Sequence, residues 1–295
     1  MSNDWIARIP DGTRVNELAL PGTHDAAAWT HHWKVPSSTP GTWAQRKSIT
    51  EQLDLGVRVL DLRVGWSMGF GWYIGMYHGP VYLNLTLQEV LTDVKNWLDQ
   101  HKKEFVILIF QQQGKAAKGA ISKDVNKLVR DTFGTALYQV FPGQNEWPEV
   151  SKLRGKVLAM GRLKSDVHGF CNVRSWLDTG DNTDGVVIDA GRKLRIFLQD
   201  RYKGLSTESS FQSMDEDNKK KFDKVKAAAE AKPNVPPLQL LRINHMSYSN
   251  LRYQPWASGE GVNALLRKSD IKIKGVLMID DADQATVKHI LRNNA

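Results

Sequence analysis

A single cysteine, Cys171, stands among 295 residues, which excludes an internal disulfide framework and any cysteine-built zinc cluster. Long apolar runs are missing as well. No window approaches the roughly 18 uncharged apolar residues of a membrane span, and the start Met1-Ser2-Asn3-Asp4-Trp5 lacks the basic cluster and apolar stretch of a leader peptide. A soluble chain is expected, either cytoplasmic or secreted in mature form. Repeats, low-complexity tracts and a linker long enough to split the chain are also absent, so one domain over residues 1–295 is expected. Acidic residues are the scarcer charge: 32 Asp and Glu face 40 Lys and Arg, a formal net charge of +8. That excess favours a polyanionic partner, either nucleic acid or anionic lipid.

Nothing in the chain resembles a recognition helix, an aromatic RNA-binding strand pair or a zinc finger, so no nucleic-acid partner is expected. Ten tryptophans favour lipid, because an amphipathic indole suits a membrane–water boundary. Most of them belong in the core. The exceptions are Trp33 and Trp43, which flank the turn-rich Val35-Pro36-Ser37-Ser38-Thr39-Pro40-Gly41, and Trp256 in Gln254-Pro255-Trp256-Ala257-Ser258-Gly259; these three are candidate membrane contacts. The Lys219-Lys220-Lys221 run reads as a solvated helix face.

Eight short apolar runs read as strands: Leu18 to Pro21, Val57 to Val64, Tyr73 to His78, Phe105 to Gln111, Val157 to Leu163, Leu194 to Asp200, Leu238 to Ile243 and Gly275 to Asp280. Helical patterns alternate with them. Leu87, Val90, Leu91, Val94, Trp97 and Leu98 repeat at three-four spacing, and further helices are expected at Lys123 to Phe133, Met214 to Ala231, Gly261 to Lys268 and Ala282 to Asn293. Eight strands and crossover helices predict an α/β fold, a single-domain distorted (β/α)8 TIM-like barrel. Distortion is expected because Gly65 to Trp72 leaves no room for a helix between the second and third runs, and none is evident between Val186 and Leu194.

Polar residues close these strands, where such barrels carry their sites. His24 and Asp25 end the first run, Asp61 and Arg63 the second, His78 the third, Gln111 to Gln113 the fourth, Arg162 the fifth, Asp200 and Tyr202 the sixth, and Asp280 the eighth. Side chains two apart on a strand share a face, so Asp61 and Arg63 point together while Leu60 and Leu62 point to the opposite layer. Two imidazoles, a guanidinium and carboxylates suit proton transfer at both ends of a phosphodiester, with the arginine taking the phosphate charge.

Leu20-Pro21-Gly22-Thr23-His24-Asp25, Gly56-Val57-Arg58-Val59-Leu60-Asp61-Leu62-Arg63 and Tyr77-His78-Gly79-Pro80-Val81-Tyr82 resemble the X-region motifs of bacterial-type phosphatidylinositol-specific phospholipase C. The likeness continues through Arg154-Gly155-Lys156-Val157 to Arg162, Leu198-Gln199-Asp200-Arg201-Tyr202-Lys203 and Gly275-Val276-Leu277-Met278-Ile279-Asp280. The resemblance implies cleavage of the glycerol–phosphate bond by the inositol 2-hydroxyl. His24 would be the base with Asp280 behind it, His78 the acid assisted by Asp25, and Arg63 the phosphate ligand positioned by Asp61. It further implies that Arg162, Asp200 and Tyr202 meet the inositol ring, and that Gln112 offers a neutral amide where bacterial members carry lysine. Arg63 takes the electrostatic place of the calcium ion in calcium-dependent relatives, so no metal and no cofactor are expected. The partner would be phosphatidylinositol, or its glycosylated form, in a membrane surface, and a monomer without a protein partner is expected.

Two rival readings remain open at this point. A metal-dependent glycerophosphodiester phosphodiesterase also uses a barrel and two histidines, but it needs several acidic metal ligands near the first, and the second run here ends in Arg63. A catalytically inactive inositol-lipid binding barrel would not need both histidines and the arginine.

Overall fold

The structure, a computed structural model, describes residues 4–29, 42–113, 121–141, 143–179, 183–191, 193–202, 214–248 and 254–294. Trp33 lies outside them. Twelve strands are present among the described residues: β1 (Ala19–Thr23), β2 (Val59–Met68), β3 (Trp72–His78), β4 (Val81–Thr86), β5 (Phe105–Gln112), β6 (Leu137–Tyr138), β7 (Lys156–Arg162), β8 (Cys171–Asn172), β9 (Val186–Asp189), β10 (Arg195–Gln199), β11 (Leu240–His245) and β12 (Gly275–Ile279). The helices are α1 (Ile49–Leu55), α2 (Leu87–Gln100), α3 (Ser122–Phe133), α4 (Val150–Leu153), α5 (Ser175–Thr179), α6 (Met214–Glu230), α7 (Pro255–Arg267) and α8 (Gln284–Leu291).

Strand order is β6-β7-β5-β2-β1-β12-β11-β10-β9. Every neighbour from β6 to β10 is parallel, as helical crossovers require, and at the end of this path β9 runs antiparallel to β10. The order does not close on itself among the described residues. At the open seam side chains bridge what strands do not: the Cys171 thiol meets the Ala190 carbonyl at 3.1 Å, and Ser175 Oγ donates to the Asp189 carbonyl at 2.9 Å. A cavity of about 580 Å³ lies along this seam, lined in part by Phe170, Asn172, Arg174 and Asp189. The fold is thus a distorted TIM-like barrel.

The largest difference from the sequence expectation is the third apolar run. It is a real strand, but β3 runs antiparallel to β2 and β4 antiparallel to β3, so the three form a meander outside the barrel path. The short Gly-rich connection of residues 69–71 explains this, because it can close only a hairpin. The seventh run also shifts: β11 starts at Leu240 and continues through Asn244 to His245.

Helix α2 shows why the segments fold where they do. Thr86 Oγ1 accepts from the Glu89 amide while the Glu89 carboxylate accepts from the Thr86 amide, a reciprocal cap. Its six apolar residues at three-four spacing are all buried, and each contributes about 1.5–3 kcal/mol relative to exposure. Helix α1 uses the same cap through Ser48 and Glu51 and ends at Gly56, whose φ of 109° only glycine adopts readily.

At the N-terminal end of the barrel, opposite the polar strand ends, Arg58 and Glu104 form an ion pair with no exposure to solvent. Arg58 Nε reaches Glu104 at 2.8 Å, and Glu104 also accepts from the Ala7 amide at 3.0 Å. The guanidinium lies 4.5 Å from the Trp97 ring centroid. Burial lowers the Arg58 pKa and Glu104 opposes that shift, so removal of Glu104 strands a charge. Glu104→Ala should lower the unfolding free energy by about 3–5 kcal/mol, seen as a reduced urea midpoint at constant slope. A loss below about 1 kcal/mol would mean that Arg58 keeps adequate partners without it.

Candidate active site

Parallel pairing of β1 with both β2 and β12 brings three strand ends side by side. The His24 amide donates to the Ile279 carbonyl at 3.0 Å, and the Ala26 amide to the Asp61 carbonyl at 2.9 Å, so the backbone after β1 is pinned on both flanks. Asp25, in that pinned turn, takes a left-handed φ of 44°. Aspartate tolerates this region better than most residues, and such strain collects at functional sites.

The buried Asp25 carboxylate is the centre of the site. Its Oδ2 lies 3.4 Å from His24 Nε2 and 3.2 Å from His78 Nε2, and its Oδ1 lies 3.1 Å from Arg63 Nε. Arg63 also bonds Asp61 Oδ2 through Nε and Nη2, both at 2.9 Å. Each imidazole is held from behind. His24 Nδ1 donates to Asp280 Oδ1 at 2.9 Å, and His78 Nδ1 donates to the Thr42 carbonyl at 2.7 Å. A carbonyl only accepts, so His78 Nδ1 keeps its hydrogen and Nε2 is the nitrogen left to exchange a proton.

Electrostatics follow from this arrangement. Burial alone would lower the His24 pKa, but Asp25 and Asp280 overcome it and raise the value to about 9. Burial raises Asp280, against the pull of His24. Asp61 feels the same burial, yet Arg63 holds it below the usual carboxylate range. Burial opposes the Arg63 charge, and Asp25 and Asp61 keep it firmly in place.

A second polar group adjoins the first. Arg162 Nη1 donates to Gln111 Oε1 at 3.0 Å and lies 3.8 Å from Asp200 Oδ2, with its guanidinium 4.7 Å from the Trp176 ring centroid. The Trp176 indole donates to Asp200 Oδ2 at 3.1 Å. Burial lowers Arg162 to about 10, while Asp200, despite burial, is lowered to about 2 by His245 and Arg162. Tyr202 is partly exposed two residues beyond Asp200.

One site expectation is displaced by a residue. Register places Arg63 beside Gln111 and Gln111 beside Arg162, so these three share the inward face, while Gln112 pairs with Val64 on the other. Gln111 is the glutamine of this strand whose side chain meets Arg162. Trp43 and Trp256 are brought together, the Trp256 amide donating to the Trp43 carbonyl at 3.1 Å, but both are half-buried and Arg46 covers the Trp256 ring at 5.0 Å. Lys221 departs from its solvated run: it is buried, donates to the Arg201 carbonyl at 2.5 Å, and burial lowers its pKa to about 7 against the pull of Asp200 and Asp280.

His245 is the site residue that sequence reasoning missed. Its buried ring makes edge contacts with His24 and Trp176, at centroid separations of 5.9 and 5.7 Å, and burial lowers its pKa to about 4. It is a neutral wedge between the His24 and Asp200 groups. A histidine at the end of the seventh run, two residues beyond Ile243, was the available signal, the same kind that marks His24. Gln45 was also missed; its amide donates to the His24 and Ile279 carbonyls at 2.9 and 3.0 Å and ties the ends of β1 and β12 together.

His24, Asp25 and Asp61 place donor atoms within 4.8 Å of one another, close enough to share a cation. The guanidinium that touches both carboxylates would oppose such an ion.

Comparisons agree with this picture. Residues 18–163 match the family described as phosphatidylinositol-specific phospholipase C, X domain. The chain is 24% identical over 303 residues to 1-phosphatidylinositol phosphodiesterase of Listeria monocytogenes, covering 99% of this chain and 85% of that protein. It superposes on the phosphatidylinositol-specific phospholipase C structure from L. monocytogenes with a TM-score of 0.71 at 22% identity, covering all of both chains. On the Staphylococcus aureus enzyme structure the TM-score is 0.77 at 21% identity, covering 99% of this chain and 97% of the other. The matched segment contains every member of the Asp25 cluster except Asp280, and with motifs and fold in agreement the chain belongs to the phosphatidylinositol-specific phospholipase C X-domain family.

Proposed function

We propose that the chain is a phosphatidylinositol-specific phospholipase C that acts as one catalytic unit on lipid in a membrane surface. The observation that carries this reading is the approach of two imidazole Nε2 atoms and a guanidinium to the same buried carboxylate. A phosphodiester set over that triangle meets a proton acceptor on one side, a proton donor on the other, and a fixed positive fork between them.

His24 Nε2 removes the proton of the inositol 2-hydroxyl, and Asp280 holds its other nitrogen. The 2-oxygen attacks phosphorus while the phosphorus–glycerol oxygen bond breaks. His78 Nε2 delivers a proton to the departing oxygen, which leaves as diacylglycerol, and inositol 1,2-cyclic phosphate remains. Arg63, oriented by Asp61, bonds the non-bridging oxygens as their charge grows. In a slower second step water opens the ring with the two histidines in exchanged roles. Arg162, Asp200 and Tyr202 offer charged and phenolic partners to the ring hydroxyls. The guanidinium at the carboxylate corner does the work that calcium would do, and the reaction needs no metal.

Phosphorus NMR of phosphatidylinositol incubated with the chain should show the cyclic phosphate first, and His24→Ala should slow its appearance by at least about a hundredfold. A first product that is already acyclic would overturn intramolecular attack. The same reaction in excess chelator should run at an unchanged rate; activity that vanishes and returns only with calcium would overturn the role given to Arg63.

The pH dependence has a definite sign. His24 must be neutral to accept a proton and its pKa is raised to about 9, so kcat/KM rises with pH toward that value. Stability that the ion pairs give through His24 is complete below about pH 6.5, its ordinary value, and is lost as pH rises through about 9. Asp280→Asn removes one source of the shift, so the rising limb should move to lower pH while the plateau falls. A limb that stays in place would assign it to another group.

A further inference from the structure

The chain carries a second feature, of which the chemistry uses only His78. From Val64 to Gln88, 25 residues contain no Asp, Glu, Lys or Arg, in a chain that is 24% charged. Six of them are aromatic: Trp66, Phe70, Trp72, Tyr73, Tyr77 and Tyr82. This segment is the β2–β3–β4 meander. At its tip Met68, Phe70 and Trp72 are 72%, 118% and 44% exposed, whereas the other exposed large apolar side chains among the described residues, Phe141, Val187 and Leu238, lie far apart in sequence. Soluble proteins normally guard a projecting antiparallel edge with charge. Here none is present.

We propose that this hairpin tip is the surface through which the protein enters the apolar layer of a lipid membrane. The inference rests on the lipid substrate of the preceding section and adds the contact surface. Placement is the first argument. Strand β2 carries Asp61 and Arg63 and continues without a break to Met68, five residues or about 17 Å further on at the usual rise per residue. A phosphodiester held at Arg63 sits at head-group depth, so a projection of that length on the site side of the barrel reaches the acyl chains.

Rigidity is the second argument. Tyr77 Oη donates to the Trp66 carbonyl at 2.8 Å and lies 2.8 Å from Ser67 Oγ, and the Trp66 and Trp72 rings meet edge to face at 6.4 Å. A Cβ on Gly75 would lie 2.5 Å from Ser67 Oγ and from the Tyr82 ring, so the meander is packed through its own aromatic side chains. A preorganised tip gives up little conformational entropy when it inserts. Charge is the third: an uncharged apolar tip on a chain of net charge +8 combines insertion with attraction to an anionic surface. Trp43 and Trp256, half-buried beside the Thr42 carbonyl that holds His78, offer less apolar surface.

The test uses vesicles of phosphatidylcholine with a minor fraction of phosphatidylglycerol, which contain no inositol lipid, and the full chain against a Met68→Ser/Phe70→Ser double variant. Both side chains are exposed, so the fold does not need them. Sedimentation should show vesicle partitioning reduced by at least about tenfold, with hydrolysis of soluble inositol 1,2-cyclic phosphate unchanged. Phe70→Ser alone should give an intermediate loss. Equal partitioning of parent and double variant would overturn the proposal, as would a parent dimer that the variant abolishes without change in vesicle binding, which would make the meander an edge between copies. Hairpin-dependent vesicle binding by a parent that cleaves no phosphatidylinositol would uphold this surface and sink the enzymatic reading instead.

Discussion

One buried carboxylate, that of Asp25, organises the polar end of this barrel. It faces two imidazoles and a guanidinium at 3.1–3.4 Å, and no other group in the cluster touches all three. A buried anion is costly unless cations surround it, and buried cations are costly without an anion, so each group stabilises the presence of the others. The cluster therefore resists piecemeal change. The left-handed φ of Asp25 is part of the same constraint: the backbone turns sharply after β1 so that a strand-end side chain points sideways, across three strand ends.

Polar side chains then lock the backbone that carries these groups. Gln45 joins the ends of β1 and β12 and accepts from the Ala282 amide at 3.1 Å, while Asn263 of α7 donates to the Asp280 and Asp281 carbonyls at 2.9 and 3.2 Å. Gln254 accepts from the Thr42 and Trp43 amides, and the Thr42 carbonyl in turn fixes His78. Helix α7 comes so close to this frame that a Cβ on Gly259 would lie 2.5 Å from the Asp280 Cβ. Preorganisation of this kind is where an active site gains most, because the donors need not reorganise as charge develops.

Strand β2 joins two regions of opposite chemistry. Its barrel half turns Asp61 and Arg63 inward among charges, and its outer half, Val64 to Met68, belongs to an uncharged aromatic meander. A rigid strand transmits position between the two, so the depth of one relative to a surface is fixed by the other.

The parallel barrel strands and the amphipathic helices were legible in the sequence, because alternation and three-four spacing are local patterns that burial enforces directly. So were His24, Asp25, Asp61, Arg63, His78 and Asp280, since each closes or follows an apolar run at the end where such barrels keep their sites. Tertiary structure alone decided the rest. That β2 continues past Val64 to Met68, and so leaves only a hairpin connection to β3, depends on its pairing partner, and whether Gln111 or Gln112 faces inward depends on a one-residue register that period-two alternation does not index. The inward turn of Lys221 and the wedge of His245 arise from groups distant in the chain that share a volume without water. A sequence records which side chains are available, but burial and mutual distance set their charge states, and those exist only once the strands are laid side by side.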